Sequence, residues 1–258
     1  MNQTAQKTQN RRKRPVRGEK PNRWRGLFGP DVPLSSPNVL VVDIGGNNVK
    51  VLATEQNESR KFPSGPKMTP QRMVAGVEKL AADWKYDVVS IGYPGRVDHN
   101  RPVAEPRNLG GGWTRFNFRA AFKRPVKIVN DAAMQALGHY RKGTMLFLGL
   151  GTGLGAALVV EGVIVQIELA HLAYKRGTYD DYLGARGLKR LGKRKWQRHV
   201  DNCTTRLISV LHLDDVVIGG GNVKKLTRLP KGCRAGDNAH AFLGGFRLWE
   251  ESAGTRLR

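Results

Sequence analysis

Val39-Leu40-Val41-Val42-Asp43-Ile44-Gly45-Gly46-Asn47-Asn48-Val49-Lys50 begins as a buried strand, passes through a glycine turn and leaves as a second strand. Glycine lets the backbone double back and leaves its N–H groups uncovered by side chains, which is what a phosphate-cradling turn needs. Gly45, Gly46 and Asn47 are therefore candidate phosphate contacts, with Lys50 as the cation beside them. Asp43, at the end of the first strand, is placed to hold a hydrated Mg²⁺ rather than to pack. Taken alone, the stretch reads equally well as a β-hairpin with a glycine turn.

A second stretch of the same design lies half a chain later. Leu146-Phe147-Leu148-Gly149-Leu150-Gly151-Thr152-Gly153-Leu154-Gly155-Ala156-Ala157-Leu158-Val159-Val160 again runs strand, glycine turn, strand, and adds Gly151, Thr152 and Gly153 to the candidate phosphate contacts. Two such turns in successive halves point to a duplicated domain that grips a phosphate chain between its copies. The pair resembles the two phosphate loops of the actin and hexokinase-like (ribonuclease H-like) fold, and its wording is similar to the ROK family of sugar kinases. That resemblance implies an α/β fold of two lobes, residues 37–143 and 144–258, around a central cleft, with residues 1–36 standing outside as a disordered basic arm.

Composition limits the function classes. The 258 residues, 40% of them hydrophobic, are enough for one large or two small packed domains. Lys and Arg number 44 against 21 Asp and Glu, a formal charge of +23, which calls for a polyanionic partner or environment. The arm holds nine basic and two acidic residues, including Arg11-Arg12-Lys13-Arg14, so +16 belongs to the remainder. Two cysteines, Cys203 and Cys233, are too few for a disulfide framework and indicate a reducing, cytoplasmic setting. The longest apolar run, Met145 to Val160, is interrupted by glycines and stops at Glu161, so a membrane span is not expected.

Between the two turns, Thr69-Pro70 opens a helix whose Met73, Val77, Leu80, Ala81 and Trp84 recur at helical spacing and belong in a core. Val88-Val89-Ser90-Ile91 is a buried strand leading to the turn Tyr93-Pro94-Gly95, a plausible wall of a cleft beyond a strand's carboxyl end. Val126-Lys127-Ile128-Val129 is another strand, followed by Asn130-Asp131 and a helix from Ala132 to Tyr140. At such a junction an Asp is commonly a helix N-cap. The resemblance implies more: Asp131 as the catalytic base, with Asn130 and Asn108 holding sugar hydroxyls.

Beyond the second turn, the family pattern Glu-x-Gly-His is met by Glu168-Leu169-Ala170-His171, with alanine in the glycine position. The resemblance makes Glu168 and His171 sugar ligands, and the alternative is a surface pair. Many ROK kinases continue into a cysteine-rich zinc loop, but Leu172 to Asp181 contains no cysteine, so no structural zinc is expected. The polyphosphate glucokinase branch also lacks that loop and is the nearest in pattern. Lys189, Arg190, Lys193, Arg194, Lys195 and Arg198 crowd around Trp196, which falls in register with Val200, Cys203, Leu207, Val210 and Leu211 as a core position. Gly219-Gly220-Gly221-Asn222 resembles the family's loop for nucleotide or distal phosphate, and a last helix is expected over 238–251.

The expected activity is transfer of a phosphoryl group to a hexose 6-hydroxyl, with Mg²⁺ and either ATP or inorganic polyphosphate as donor. Expected partners are a small sugar and the polyanionic donor, with no membrane and a homodimer as a possible assembly. The competing reading is a non-catalytic sugar- or polyanion-binding protein, nucleic acid included, since ROK relatives include sugar-sensing repressors.

Overall fold

Successive side chains along β1 (Val39–Ile44) point to opposite faces, as a strand's period of two requires, and both faces are apolar. Leu40, Val42 and Ile44 join one core while Val39 and Val41 join another. That double burial makes β1 an interior strand in the computed structural model, which describes residues 37–250. The basic arm, 1–36, and the end of the last expected helix lie outside the described residues.

β1 is followed by β2 (Asn48–Ala53), β3 (Arg60–Pro63), α1 (Pro70–Leu80), β4 (Val88–Tyr93), the small hairpin β5 (Val97–Asp98) and β6 (Arg101–Pro102), α2 (Phe118–Phe122), β7 (Val126–Asn130) and α3 (Asp131–His139). Then come β8 (Thr144–Leu150), β9 (Leu154–Val160), β10 (Val163–Val165), the hairpin β11 (Ala173–Tyr174) and β12 (Gly177–Thr178), α4 (Tyr179–Leu183), α5 (Ala185–Leu211), β13 (Asp215–Gly219), a 3₁₀ turn Val223–Lys225, β14 (Cys233–Ala235) and α6 (His240–Arg247). The first sheet has the order β3-β2-β1-β4-β7 and the second β10-β9-β8-β13-β14. In each, the strand after the central one is antiparallel to it and the strand on its other side is parallel. Strand for strand, the second half repeats the order and directions of the first, the duplication that the two glycine turns foreshadowed.

The molecule is layered. α1 and α2 cover the outer face of the first sheet, and α4 and α5 the outer face of the second. α3 and α6 lie between the sheets in a shared core that draws Val41 and Val88 from one and Phe147 and Val217 from the other. Trp196 is wholly buried on α5 and donates from Nε1 to Leu183 O at 2.9 Å, so it is the core residue its spacing indicated. Val210 and Leu211, placed in the same series, are 74% and 36% exposed, and Ile208 and Leu213 pack against the core there instead. Gly192, at φ 72°, interrupts α5 within its basic stretch.

The last helix runs His240–Arg247, shorter at both ends than expected, and crosses back onto the first sheet. Ser90 Oγ donates to Gly245 O at 2.6 Å, and Lys127 Nζ donates to Leu248 O at 2.6 Å. Where α3 and α6 cross, a Cβ on Gly138 would stand 1.8 Å from His240 O, and one on Gly244 would stand 1.8 Å from Met134 O. Backbone meets backbone there, and only glycine fits. Gly138→Ala and Gly244→Ala are each expected to lower unfolding free energy by about 2 kcal/mol or more, since overpacking forces the helices apart. Gly111→Ala, with nothing near its Cβ position, serves as the neutral control in urea unfolding; equal stability of all three variants would refute the close crossing.

Candidate active site

β7 ends at Asn130, whose side chain caps the next helix: Oδ1 accepts from Ala132 N at 3.0 Å and from Ala133 N at 3.4 Å. Such a cap is worth about 1 kcal/mol. The cap is thus Asn130, not Asp131, and α3 starts one residue earlier than the sequence suggested. Asn130 Nδ2 donates to Gly95 O at 3.0 Å, tying the turn after β4 to the same point. An amide has two N–H donors and one carbonyl, so one N–H of Asn130 is left for a ligand.

Asp131 follows on the first helical turn, where the exposed N–H groups of a helix favour negative charge. Its Oδ1 accepts from Ala132 N at 2.8 Å. What brings it to the first glycine turn is Gly92. In the parallel pairing Asp43 stands opposite Gly92, and Gly92 opposite Val129. A Cβ on Gly92 would lie 2.3 Å from Met134 Cε and 3.7 Å from Asp131 Cα, so α3 rests on the bare backbone of β4. Asp43 and Asp131 therefore meet across a strand that offers no side chain between them.

Burial pushes the Asp131 carboxyl up to about 7, with the Asp43 charge adding to the rise and the Ala132 N–H offsetting part of it. Asp43 is itself raised by burial, against the lowering effect of Lys50. Lys50 stands directly opposite Asp43 in the antiparallel pair, its Nζ 3.4 Å from Oδ2. The lysine expected on phosphate thus answers first to a carboxylate.

The first turn is tight, with Gly45 N donating to Asn48 O at 2.9 Å. Ser64 fixes it from outside: Oγ donates to Gly45 O at 2.6 Å and its N–H to Asn47 O at 3.0 Å. The N–H groups of Gly46 and Asn47 have no partner among the described residues. Asn108 lies over them, its Cβ 3.6 Å from where a Gly46 Cβ would be. The loop carrying Asn108 is held by Glu105, which accepts from Trp113 N and Thr114 N, and by Trp113 Nε1 donating to Gly110 O at 2.6 Å.

In the second turn Gly151 N is shared between Gly149 O and Gly153 O, leaving the N–H groups of Thr152 and Gly153 without partners among the described residues. The Gly219–Asn222 loop folds onto this turn, with Asn222 Nδ2 donating to Gly151 O at 2.9 Å and Asn222 N to Leu150 O at 2.9 Å. Gly220, at φ 88°, is required there, since a Cβ would strike Leu150 O at 2.6 Å. Gly219 and Gly221 flank this contact.

Asp180 escaped the sequence reading. It is 8% exposed, its Oδ1 accepts from Leu154 N at 2.7 Å, and its Oδ2 meets Arg186 Nη2 at 3.1 Å. Asp180 thus anchors the second turn and sets a 73% exposed arginine at the start of α5, where Ala185 N donates to Thr152 O at 3.2 Å. The nearest sequence signal was the Thr178-x-x-Asp181 capping box next to it. Asp180 N also donates to Ala170 O at 3.0 Å, which ties the Glu168–His171 segment to the same turn. Glu168 and His171 are exposed, and no bond links either to Asp43, Asp131, Asn108 or Asn130; Glu168 Oε1 accepts only from Ala170 N.

Among the described residues no three His, Cys, Asp or Glu side chains group as metal ligands. Asp43, with Asp131 facing it and bare N–H groups beside it, suits Mg²⁺, which takes one or two carboxylates and completes its shell with water and substrate phosphates. Concavities of about 410 Å³ at Asn117–Pro125 and 480 Å³ at Glu55–Arg60 on the first lobe contain none of these residues.

Two sheets of one topology, each presenting a glycine turn at the end of its central strand, define a two-lobed actin-like α/β protein. Over residues 39–166 the chain matches the ROK family model. It is 30% identical over 149 residues, 51% of its length, to the bifunctional enzyme NanE/NanK of Brucella melitensis, and 27% identical over 144 residues, 54% of its length, to a glucokinase of Pyrobaculum calidifontis. It spans 28% and 44% of the length of these two curated relatives. The inorganic polyphosphate/ATP-glucomannokinase of an Arthrobacter strain superposes with a TM-score of 0.70 at 21% identity, covering 81% of this chain and 97% of that one, a likeness of fold. No helix of the described residues is long and apolar enough to cross a membrane.

The Asp131 environment has a thermodynamic consequence. Its folded value, about 7, exceeds the ordinary 3.8, so the folded protein holds a proton that the unfolded chain releases, and stability from this group falls as pH rises from about 4 to 7. Asp131→Asn should stabilise the protein at pH 8 by on the order of 4 kcal/mol, the gain vanishing below about pH 4. Thermal melts at both pH values measure this; a destabilised Asn variant at pH 8 would contradict the assigned burial.

Proposed function

We propose that this chain is a hexose kinase that transfers a phosphoryl group from ATP or inorganic polyphosphate to the 6-hydroxyl of glucose. The observation that carries this reading is Asp131: a carboxyl at a helix start, facing Asp43, with a pKa of about 7 that suits proton transfer near neutral pH. Asp131 takes the proton from the sugar hydroxyl as that oxygen bonds to the terminal phosphorus, and the bond from phosphorus to the bridging oxygen of the donor breaks. Little else is asked of the protein beyond positioning and charge neutralisation.

Asn108 and the remaining N–H of Asn130 orient the sugar, with Glu168 and His171 approaching from the second lobe. The bare N–H groups of Gly46, Asn47, Thr152 and Gly153 hold the donor phosphates, with the Gly219–Asn222 loop next along the donor. Mg²⁺, held through water by Asp43, would neutralise donor charge. The exposed α5 cations Arg186, Lys193, Arg194 and Lys195 favour a donor longer than a nucleoside triphosphate. Cys203, buried within α5, is at home in a reducing cytoplasm.

A coupled assay with glucose tests the assignment. Asp131→Asn should lower turnover by about 10²- to 10⁴-fold while glucose binding survives, and the wild-type rate should fall as pH drops through about 7, because the base is then protonated. A near wild-type rate for Asp131→Asn would remove it from that role. Asp43→Ala should abolish the metal-dependent rate. Replacing Lys193, Arg194 and Lys195 with alanine should raise KM for long polyphosphate more than for ATP; equal shifts would point to ATP as the donor.

A further inference from the structure

The hairpin β11–β12 packs against α4 and α5 so that three rings meet: Tyr174, Tyr182 and His199. Tyr174 Oη and His199 Nδ1 are 3.1 Å apart, and the ring centroids lie 4.9 Å apart for Tyr182–His199 and 5.1 Å for Tyr174–Tyr182. Tyr174 is buried, whereas Tyr182 and His199 are half-buried and reach the surface. Cations interleave with the rings. Arg190 lies 4.9 Å over the Tyr182 ring, Lys175 5.9 Å and Arg206 6.0 Å from that of Tyr174. Burial first, and then the charges of Lys175, Arg198 and Arg190, hold the His199 imidazole below its ordinary value, a sign of how closely these cations crowd it.

Little negative charge answers them. Asp181 lies on this side, but its Oδ2 accepts from Thr178 N at 3.0 Å and Thr178 Oγ1 at 2.9 Å, and its Oδ1 is 3.6 Å from Arg186. Arg190 donates to the Asp181 backbone oxygen, not to its carboxylate. From Arg186 to Arg198 the helix carries no acidic side chain at all.

We propose that this surface, centred on Tyr182, His199 and Arg190, binds single-stranded nucleic acid. A bare phosphate chain needs only charge, and aromatic rings add nothing to its grip. Single-stranded nucleic acid has both a phosphate backbone and π faces, and rings interleaved with Lys and Arg match both at once. Arg190 Cζ lies 4.9 Å over the Tyr182 ring, within cation–π reach, and a guanidinium at that place can also receive the face of a base. Among the described residues no side-chain hydrogen bond or ring contact joins Tyr174, Tyr182 or His199 to the glycine turns or to Asp131, although Tyr182 shares α4 with Asp180, the anchor of the second turn.

Fluorescence anisotropy with a labelled oligouridylate of about 12 nucleotides tests this on the full chain, with inorganic polyphosphate of similar charge as competitor. Binding should weaken steeply with salt as counterions are released. Tyr182→Leu and Arg190→Lys should each weaken oligouridylate binding about tenfold, and Tyr182→Phe should restore it, while affinity for polyphosphate is unchanged by all three. Glucose phosphorylation should also be unaffected, so a failed kinase assay and a failed binding assay remain distinguishable. Arg190→Lys keeps a charge and a donor for Asp181 O at an exposed position while removing the guanidinium plane, so it reads the stacking even if Tyr182→Leu unfolds. Equal losses for polyphosphate and oligouridylate, or no loss from either Tyr182→Leu or Arg190→Lys, would overturn the proposal in favour of a simple polyphosphate-attracting face.

Discussion

Everything in this fold depends on two helices lying backbone to backbone. α3 and α6 cross at Gly138 and Gly244, each glycine pressed against a carbonyl of the other helix. Because no side chain separates them, both helices fit in the layer between the two sheets, α3 touching strands of both and α6 lying on the first. His139 and His240 stack at 4.2 Å beside the crossing, and burial holds the His139 pKa down to about 4, so the contact is made by a neutral ring. The adjacent Asp237 N–H donates to its Nε2 at 2.9 Å, consistent with that state.

The same packing sets the position of the proposed base. α3 is both the central helix and the one that starts with Asp131, so the crossing that joins the lobes also fixes the carboxyl relative to β1. Met134 sits where Gly92 leaves room, and the start of α3 is drawn to the end of the strand that holds Asp43. On the other side, Ala132 approaches Gly155 at the start of β9, with its Cβ 3.3 Å from that glycine's missing one. The turns of both lobes are thereby referred to a single helix end. The cost is two buried carboxyls in mutual repulsion, with Lys50 compensating one of them; strain of this kind is expected where a site is built for reactivity rather than stability.

Charge follows a different logic from packing. The carboxylates that the body retains are largely committed: Asp180 to Leu154 N and Arg186, Asp201 to Arg228, Asp215 to Arg234. Arg186 apart, the α5 cations from Lys189 to Arg198 have no salt bridge among the described residues. With eight Lys and Arg against one Asp, α5 carries +7 of the +16 that lies outside the arm.

The sequence by itself determined the strands β1, β2, β4, β7, β8, β9 and β13, the two glycine turns and the duplication they announce, because a strand buried on both faces and a turn of bare N–H groups are local properties of residue type. It also placed Trp196 in the core and Asp131 at a strand-to-helix junction. What it left open depends on distant residues. Whether Asn130 or Asp131 caps α3 is decided by the Gly95 carbonyl that takes the Asn130 amide. That Lys50 pairs with Asp43 follows from cross-strand register, and that Asp180 anchors the second turn follows from how α4 docks beside β9. The union of Tyr174, Tyr182 and His199 likewise needs a hairpin and two helices to meet. The two carboxyls, 88 positions apart in the chain, became a pair only because Gly92 and Gly138 let helix, strand and helix approach to backbone contact.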